Sequence, residues 1–496
     1  MDSRSEDLLE IIRSRGTQGQ FVDYRCLPAQ DALTSAWPEW IPAPVVSAWR
    51  QSGVDEPWLH QVQALESIHS GHDVVIATGT GSGKSLVAWT PILSDLVQAD
   101  DSNRISDIHR RPSCLYLSPT KALAADQLHS LNRLVDGLEH GAALALADGD
   151  TPREAKEWAR ANADIVLTNP DYLHYVMLPR HERWTRFLAS LRYVIIDEMH
   201  QWRGVSGSHI SLVLRRLLRI ARHLGADVQV IMMSATLADP QSVAQTMIGR
   251  ENVNAITDDT SGRGTHHIFM WEGREVPHEE DVSIDAFLSA LRAAEAGEET
   301  VLEAPTQRLS AQTEASLLCA DLIRADARLL TFVRSRGGAE AVAAQTRDKL
   351  RDVPELASTV AAYRGGFLPE ERRTLESALR SGRLRALATT SALEMGIDIS
   401  GLDVTITAGW PGTRASFWQQ LGRSGRAGAD GISVLIAGDN PLDSFLVHHS
   451  DEIFSPVEAA VLDPQNPWVL RDHLCAAAAE LPLPEDEAVA VFGSGA

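Results

Sequence analysis

The sequence predicts an α/β protein with two tandem domains, each built around a parallel β-sheet. Short apolar runs rich in branched residues alternate with amphipathic helical stretches, which is typical of strands buried between helices. This alternation occurs twice along the chain. The composition fits a globular protein, because 44% of the 496 residues are hydrophobic and 23% are charged.

Each repeat of the pattern contains five apolar runs that predict strands. The runs of the first repeat are DVVIAT, SCLYLSP, ADIVLTNP, RYVIIDE and VQVIMMSAT. The runs of the second repeat are RLLTFVRS, ASTVAAYRGG, RALATTSALE, VTITAG and ISVLIAG. Runs of this length, separated by helical stretches, favour strands that are buried on both faces.

The pattern divides the chain into five segments. Residues 1–53 are rich in Trp and Pro and predict an irregular N-terminal extension that packs by aromatic burial. Residues 54–255 form the first domain and residues 326–445 the second. Between them, residues 256–325 are acidic and predict a linker or insertion with little core of its own. Residues 446–496 begin a helical, proline-punctuated C-terminal region.

Charge argues against a nucleic-acid partner. The net charge is −22 and the pI is about 5.2, whereas phosphate binding usually leaves a basic footprint. The lysines are Lys84, Lys121, Lys156 and Lys349, and two of these lie in the motifs below. Nearly all other positive charge is arginine, whose planar fork grips phosphate.

Other sequence features exclude several classes of protein. Cys26, Cys114, Cys319 and Cys475 are far apart and form no CxxC pair, so neither a disulfide framework nor a zinc site is expected. No run approaches the ~18 apolar residues of a membrane helix, and the N-terminus lacks the apolar core of a signal peptide. We expect a soluble, cytoplasmic protein with no membrane partner.

The segment VVIATGTGSGKSLVAW predicts a phosphate-binding loop. A strand ends at Ala77, a glycine-rich turn follows, and a helix begins near Ser85, so that backbone N–H groups and the helix dipole can hold phosphate. Lys84 would reach the β- and γ-phosphates, and Ser85 would bind Mg²⁺. Thr78 replaces the first glycine of the usual pattern, and a plain strand-turn-helix is the alternative. The residues predicted to bind nucleotide are Thr80, Gly81, Ser82, Gly83, Lys84 and Ser85.

An acidic pair at the end of another apolar strand, in YVIIDEMH, predicts the second half of this site. Asp197 would hold Mg²⁺, and Glu198 would orient and deprotonate the attacking water. His200 could link the site to a nucleic-acid strand. Such a pair is common by chance, but its place after a phosphate loop makes it the expected partner.

With these motifs, the chain resembles the superfamily 2 helicases. PWLHQ is similar to their adenine-reading element, which implies that Gln61 contacts the base. SPTKALAADQ resembles motif Ia, TNPDYLH a DNA-contacting motif and SAT the coupling motif III. The resemblance implies two RecA-like (P-loop NTPase) domains. It also implies strand contacts at Thr120, Lys121, Thr168 and Asn169, and coupling through Ser234 and Thr236.

The second repeat carries the remaining family motifs. TFVRSR resembles motif IV, which implies a strand contact at Ser335. TTSALEMGIDI resembles motif V, with Thr389 toward the strand and Gly396 and Asp398 toward the nucleotide. QQLGRSGRAG resembles motif VI, whose arginines, Arg423 and Arg426, would act as arginine fingers on the γ-phosphate. Such fingers make hydrolysis depend on closure of the two domains.

Some segments are more specific: DGDTP, RGVSGSHIS, YRGGFLPEERR and DNPLDSFLVHH. They resemble the branch that contains the SftH and MrfA-type bacterial proteins and a RecQ-like repair helicase of fungi. Members of this branch translocate 3′ to 5′ on single-stranded DNA, act in DNA repair and carry a C-terminal zinc domain with clustered cysteines. Such a cluster is absent from this sequence, so we expect a chain truncated before that domain.

The resemblance implies ATP and Mg²⁺ as cofactors and single-stranded or tailed duplex DNA as partner. Because the arginine fingers would lie in cis, hydrolysis needs no second subunit, so we expect a monomer, while the sequence leaves the oligomeric state open. A positive groove could include Arg153, Arg364, Arg372 and Arg373. Trp202 and Trp418 could stack a base or simply pack. An RNA helicase and an ATP-switched clamp that does not travel remain alternatives.

Overall fold

The computed structural model describes residues 3–16, 19–102, 111–138, 141–277, 306–394, 402–425, 428–455 and 461–496. The chain divides into two compact units. The P-loop unit comprises Asp31–Gly262 and Pro456–Ala496, and the second unit comprises Met1–Gln30 and Arg263–Ser455. Among the described residues, no helix has the length and apolarity needed to cross a bilayer.

The strands of the described residues are, in chain order, β1 Phe21–Leu27, β2 Asp73–Ala77, β3 Ser113–Leu117, β4 Leu144–Leu146, β5 Ile165–Thr168, β6 Leu191–Ile196, β7 Gln229–Ser234, β8 Val253–Ile256, β9 His266–Trp271, β10 Glu275–Pro277, β11 Thr306–Arg308, β12 Leu329–Val333, β13 Val360–Tyr363, β14 Ala386–Thr389, β15 Val404–Ala408 and β16 Gly431–Ile436.

The α-helices of the same residues are α1 Ser3–Arg15, α2 Ala43–Gln51, α3 Leu59–His69, α4 Lys84–Ser102, α5 Lys121–Val135, α6 Arg153–Asn162, α7 Pro170–Tyr172, α8 Thr185–Leu188, α9 Gly204–His223, α10 Pro240–Ile248, α11 Ala311–Arg324, α12 Arg336–Lys349, α13 Pro354–Ala357, α14 Pro369–Arg380, α15 Arg414–Leu421, α16 Pro441–His448, α17 Ser450–Phe454, α18 Pro467–Glu480 and α19 Glu485–Phe492. Short 3₁₀ or π turns lie at Leu173–Met177, Leu178–Trp184, Met199–Gln201 and Ser391–Leu393.

The P-loop unit is built on a parallel sheet with strand order β4-β5-β3-β6-β7-β2-β8. Successive residues of β2 bury opposite faces, as the period of two requires. Val75 packs in one core with helices α9 and α10, and Val74 and Ile76 pack in another with α3 and α4. Strand β7 separates β2 from β6, so the turns after these three strands lie side by side at the carboxyl edge.

The described residues of the second unit include a sheet with order β1-β9-β16-β15-β12-β14-β13, and among these strands β1 alone is antiparallel to its neighbour. Strand β9 has two buried faces. Phe269 and Trp271 pack with helix α1, while Ile268 and Met270 pack with Phe417 of α15. The α/β class and all ten predicted strands are therefore confirmed.

The structure corrects the expectation of an irregular extension over residues 1–53. That segment contains helix α1, strand β1 and helix α2. Leu8, Leu9 and Ile12 of α1 are buried, and β1 pairs with β9. The Trp- and Pro-rich part of the segment packs as predicted, since Trp49 lies in a core with helices α3 and α4. The order of α1 and β1 comes from partners more than 200 residues away, which local patterns do not reveal.

The segment 256–325 also differs from the sequence-based expectation of a linker with little core. Residues 266–271 form β9, which pairs with β1 on one side and β16 on the other. Residues 311–324 form α11, which packs in the same core. The acidic stretch over residues 278–305 lies outside the described residues.

The C-terminal region is helical, as predicted, and its last part belongs to the P-loop unit. Helix α18 and helix α19 pack with Leu212 of α9 through Leu470, Ala477 and Phe492. The C-terminal region therefore completes the core beside the helix that follows the acidic motif.

Candidate functional site

The glycine-rich turn after β2 has the backbone that a phosphate loop needs. Gly81 and Gly83 have φ values of +88° and +64°, a region that glycine enters without strain. A Cβ atom at Gly83 would lie 2.4 Å from Gln61 Nε2 and 3.1 Å from the Trp58 ring. Glycine is therefore favoured at Gly83, because another residue would be strained at this φ and would displace the Gln61 amide.

Lys84, the first residue of α4, folds back over this turn. Its Nζ donates to the carbonyls of Thr78 at 3.0 Å and Gly79 at 2.8 Å and lies 3.4 Å from Ser82 Oγ. Thr78 Oγ1 and Ser82 Oγ are hydrogen-bonded at 2.6 Å, which gives the threonine that replaces glycine a role in holding the turn. A phosphate could draw the ammonium away from these neutral carbonyls, because charge-assisted hydrogen bonds are stronger.

Gln61 holds the turn from helix α3. Its Nε2 donates to Gly83 O at 3.0 Å, and its Oε1 accepts the N–H of Trp58 at 2.8 Å. The Trp58 ring, from the same PWLHQ segment, lies against Gly83. Gln61 is thus in the phosphate loop's immediate surroundings, and its contact with a base stays a prediction.

Asp197 and Glu198 follow β6 at the same sheet edge. Tyr116 donates its hydroxyl to Asp197 Oδ2, and the N–H of Glu198 donates to Oδ1 at 2.8 Å. Burial and the nearby Glu198 carboxylate raise the pKa of Asp197 to about 7. The positive charge of Lys84 offsets this effect only in part, and a bound cation would supply further countercharge.

The oxygen donors fit Mg²⁺. The cation prefers oxygen ligands and is usually held by one or two carboxylates together with substrate phosphates. Asp197 supplies the carboxylate and Ser85 of α4 the hydroxyl in the sequence-based prediction. Glu198 has φ of +49°, which is uncommon for a residue with a side chain and marks a constrained turn.

His200 connects this acidic turn to the turn after β7. Its Nδ1 accepts the N–H of Ala235 at 3.2 Å and lies 3.5 Å from the hydroxyl of Ser234. Burial lowers the pKa of His200 to about 4, so the ring is neutral at pH 7. The 3.5 Å approach of Glu198 Oε2 is therefore not an ion pair at that pH. Thr236, also predicted to couple, is exposed.

Two exposed residues predicted to contact a strand cap helices at the carboxyl edges of the sheets. Thr120 Oγ1 accepts the N–H of Leu123 at 3.2 Å in α5, and Ser335 Oγ accepts the N–H of Gly338 at 3.0 Å in α12. Helix N-termini carry N–H groups and a partial positive charge that suit phosphate. Lys121, next to Thr120, has an exposed ammonium 2.7 Å from Asp150.

Three other residues that were predicted to contact the nucleic-acid strand have side chains that are hydrogen-bonded inside the protein. Thr168 donates its hydroxyl to Ala147 O, and Thr389 donates to Thr390 O at 3.1 Å. Asn169 Oδ1 accepts the N–H of Tyr172 at 2.9 Å. Both threonine side chains are buried, so a strand contact at Thr168 or Thr389 is expected from the backbone rather than from the hydroxyl.

In the second unit, Arg423 is buried and donates to the backbone carbonyl of Glu394. The Glu394 carboxylate accepts from Ser416 Oγ at 2.7 Å and Gln420 Nε2 at 2.5 Å, both on α15. Burial raises the pKa of Glu394. The predicted motifs V and VI are thus joined to each other. Gly396, Asp398 and Arg426 lie outside the described residues.

The tryptophans flanking these motifs have packing contacts. Trp202 is buried in the core of the P-loop unit. Trp418 is half-buried and meets the Phe454 ring edge-on, with centroids 5.7 Å apart.

The arginines predicted for a positive groove are solvent-facing to different degrees. Arg153 is exposed and pairs with Glu157 at 2.8 Å. Arg364 lies over the Phe367 ring, 4.7 Å from its centroid. Arg372 and Arg373 belong to α14, where Arg373 is exposed and Arg372 half-buried. The groove itself stays a prediction.

Sequence reasoning missed several residues around the phosphate loop. His60 donates from Nε2 to Ser82 O at 3.1 Å, and Asp259 Oδ2 accepts the N–H of Gly79 at 3.0 Å. His60 directly precedes Gln61 in PWLHQ, and its position beside a predicted site residue could have identified it as part of the site. Asp259 lies 180 residues from Gly79, and its acidic surroundings offered no such signal.

Two protein-family models match the chain. The family model described as DEAD/DEAH box helicase matches residues 58–244. The family model described as helicase conserved C-terminal domain matches residues 315–428. The two matches cover the phosphate loop and acidic motif in one case and motifs IV to VI in the other.

Individual relatives agree. The uncharacterized ATP-dependent helicase YprA of Bacillus subtilis (strain 168) is 33% identical over 487 residues, which are 98% of this chain and 60% of YprA. The ATP-dependent helicase HRQ1 of Saccharomyces cerevisiae is 32% identical over 435 residues, which are 86% of this chain and 37% of HRQ1.

A crystal structure of the DUF1998 helicase MrfA bound to DNA and AMPPNP has a TM-score of 0.82 at 32% identity and covers 95% of this chain. This match confirms the expectation of two RecA-like domains. The chain spans between 37% and 61% of the lengths of these three proteins.

Proposed function

We propose that this chain, which belongs to the DEAD/DEAH box helicases of superfamily 2, is the motor core of an ATP-dependent DNA helicase. The observation that carries the proposal is the single sheet edge of the P-loop unit. There, the turns after β2, β6 and β7 place Lys84, Asp197 with Glu198, and Ser234 side by side.

The residues of that edge divide the work of hydrolysis. The turn Thr80–Gly83 and the N-terminus of α4 bind the phosphates through backbone N–H groups, and Lys84 neutralises charge on the β- and γ-phosphates. Glu198 orients the attacking water and takes its proton. Ser85 and Asp197 hold Mg²⁺, which when bound neutralises charge that develops on the phosphate oxygens.

Hydrolysis is coupled to the strand through two connections. His200 joins the acidic turn to the Ser234 turn, so a shift of Glu198 would move the backbone at the end of β7. Arg423 and Arg426 act on the γ-phosphate when the domains close, and Arg423 is tied to motif V through Glu394. Phosphoryl transfer depends on such positioning and electrostatic stabilisation.

The proposed strand is single-stranded DNA, with movement 3′ to 5′ and a role in DNA repair. Support comes from the MrfA structure, whose crystals contain DNA, at 32% identity. A net charge of −22 is compatible with this strand, because helix N-termini and hydroxyls can hold phosphates without lysines. The helices capped by Thr120 and Ser335 offer such termini.

Steady-state ATPase rates test the proposal. We would compare no nucleic acid, single-stranded DNA and RNA of matched sequence, since the 2′-OH is what a protein can read. Strong stimulation by DNA and little by RNA is expected. Stimulation by RNA alone would favour an RNA helicase, and strand binding with no ATP-driven translocation would favour a clamp.

Glu198→Gln is the catalytic control. It should reduce the stimulated rate by about 100-fold or more, as expected when a general base is lost. The matched control is Glu154→Gln, at an exposed acid in the first turn of α6. A high basal rate that no strand stimulates and that Glu198→Gln leaves intact would contradict the proposal.

A further inference from the structure

The chain segment that leaves the P-loop unit is attached to the phosphate loop. After β8, residues 258–262 fold back against α3, and Gly262 is the last residue before the chain enters the second unit. Asp259 Oδ2 accepts the N–H of Gly79 at 3.0 Å, while Oδ1 accepts from the N–H and the hydroxyl of Ser261. The carboxylate thus ties this exit segment to the first turn of the loop.

A second attachment runs through Thr260 and His60. The N–H of Thr260 donates to His60 Nδ1 at 3.2 Å, and the Thr260 hydroxyl accepts the backbone N–H of His60 at 3.1 Å. Because Nδ1 accepts, the proton of the neutral ring is on Nε2, which donates to Ser82 O at 3.1 Å. Both His60 and Thr260 are buried.

The two attachments act on defined peptide units of the loop. In a trans peptide the C=O and N–H point in opposite directions. His60 donates to the carbonyl of Ser82. The N–H of Gly83 lies on the opposite side of the same peptide and therefore points away from His60. Asp259 holds the N–H of the Thr78–Gly79 peptide, while Lys84 Nζ holds the carbonyl of that same peptide at 3.0 Å.

We propose that Asp259, Thr260 and His60 are positioning residues that link the nucleotide state of the phosphate loop to the chain segment leading into the second unit. This inference rests on the proposed function. When a triphosphate draws Lys84 from the Thr78 carbonyl, one of the two restraints on the Thr78–Gly79 peptide is lost. The peptide then moves with Asp259, and the exit segment moves with it.

This link differs from the arginine fingers because it needs no contact from the second unit. It is carried by the covalent chain and by hydrogen bonds inside the P-loop unit. Leu33, close to the other chain crossing at Gln30–Asp31, also donates its N–H to Thr260 O at 3.0 Å. The chain passes between the two units at Gln30–Asp31 and at Gly262–Arg263. Hydrogen bonds of Thr260 lie close to both points, so a shift of Thr260 would move the chain at both.

The test measures thermodynamic coupling between nucleotide and strand. The affinity of a fluorescent oligo-dT for the full chain is measured by anisotropy, without nucleotide and with saturating AMPPNP and Mg²⁺. Saturation, checked by titration, prevents weaker nucleotide binding from imitating lost coupling. The proposed function requires the analogue to change the affinity of the unaltered protein, and no change there would contradict that function itself.

Asp259→Ala should reduce this nucleotide-induced change in affinity by about fivefold or more, within the usual range of coupling between sites. Asp259→Asn keeps an acceptor oxygen for the N–H of Gly79 and should retain most of the nucleotide-induced change in affinity. Thr260→Val removes one hydroxyl at nearly constant shape and should act like Asp259→Ala. Asp258→Ala, at the exposed neighbouring acid, should leave the coupling unchanged.

Thermal unfolding of each variant separates a folding defect from a loss of coupling. Should Asp259→Ala and Thr260→Val both fold and both keep the full nucleotide-induced change, the link would be refuted while the proposed function stood. A fall of equal size in Asp258→Ala would also refute it, because the effect would then come from local charge.

Discussion

Arg216 and Glu480 form an ion pair in which both side chains are almost wholly buried, at 1% and 4% exposed. Arg216 lies on α9, which follows the acidic motif, and Glu480 is the last residue of α18. The pair therefore fastens the C-terminal helices to the P-loop unit. A buried pair is costly to break, because the remaining charge is left without a partner.

We expect Arg216→Ala to destabilise the P-loop unit by about 3–5 kcal/mol, the usual result of removing one partner of a buried pair. The double variant Arg216→Met with Glu480→Leu should lose much less, since no charge remains. Urea unfolding, with proteolysis of the C-terminal helices as a second readout, measures both. Equal losses in the single and double variants would contradict this account.

Acid sensitivity should arise from the histidines around the same arginine. His174 Nδ1 accepts from Arg216 at 2.9 Å, and His473 Nε2 lies 2.8 Å from His209 Nδ1. Burial lowers the pKa of His174 from 6.5 to about 4 and that of His473 to about 3. Their neutral forms, on which these hydrogen bonds depend, must be kept in the folded state.

The folded-state pKa values are depressed, so the unfolded chain binds more protons below pH 6.5. Stability should therefore be greatest above pH 6.5 and fall as the pH drops toward 4. Thermal midpoints at pH 7.5, 6 and 5 measure this, and His473→Gln should flatten the dependence. Substitution of exposed His129 by Gln is the control, and a dependence unchanged in His473→Gln would count against the cluster.

Lys84 should be essential for nucleotide hydrolysis. We expect Lys84→Ala to lower kcat/KM for ATP by about 100-fold or more, since a charged donor to the transferring phosphoryl group is lost. Lys84→Arg should not rescue it, because a planar guanidinium does not replace a compact ammonium among the carbonyls of Thr78 and Gly79. Lys349→Ala, at an exposed lysine, should change nothing. Full activity in Lys84→Arg would show that charge alone suffices.

His200 should matter more for coupling than for basal turnover. We expect His200→Ala to reduce the stimulation of ATPase activity by single-stranded DNA by about 10-fold, within the usual range of coupling between sites. The physical reason is loss of the hydrogen bond to Ala235. Exposed His223→Ala serves as the control. Equal losses in basal and stimulated rates would mean that His200 acts on the chemistry instead.

Much of the architecture could be predicted because its signals are local. A run such as YVIIDE carries its strand and its carboxylates in consecutive residues, and GSGKS carries the turn and the lysine of the phosphate loop. The strand and the turn depend on backbone geometry and on neighbouring side chains, so the residue types in each segment are enough to predict them. Thr120 and Ser335, which the family resemblance implied as strand contacts, cap helices α5 and α12, and the structure supplied that role.

The sequence by itself determined the α/β class, the ten parallel strands and the residue types of the nucleotide site. Tertiary structure alone decided that residues 266–271 form a sheet strand, that Asp259 and His60 hold the phosphate loop, and that Thr168 and Thr389 turn their hydroxyls inward. The physical reason is range. Strand formation and turn chemistry depend on nearby residues, whereas burial and pairing depend on groups that only folding brings together.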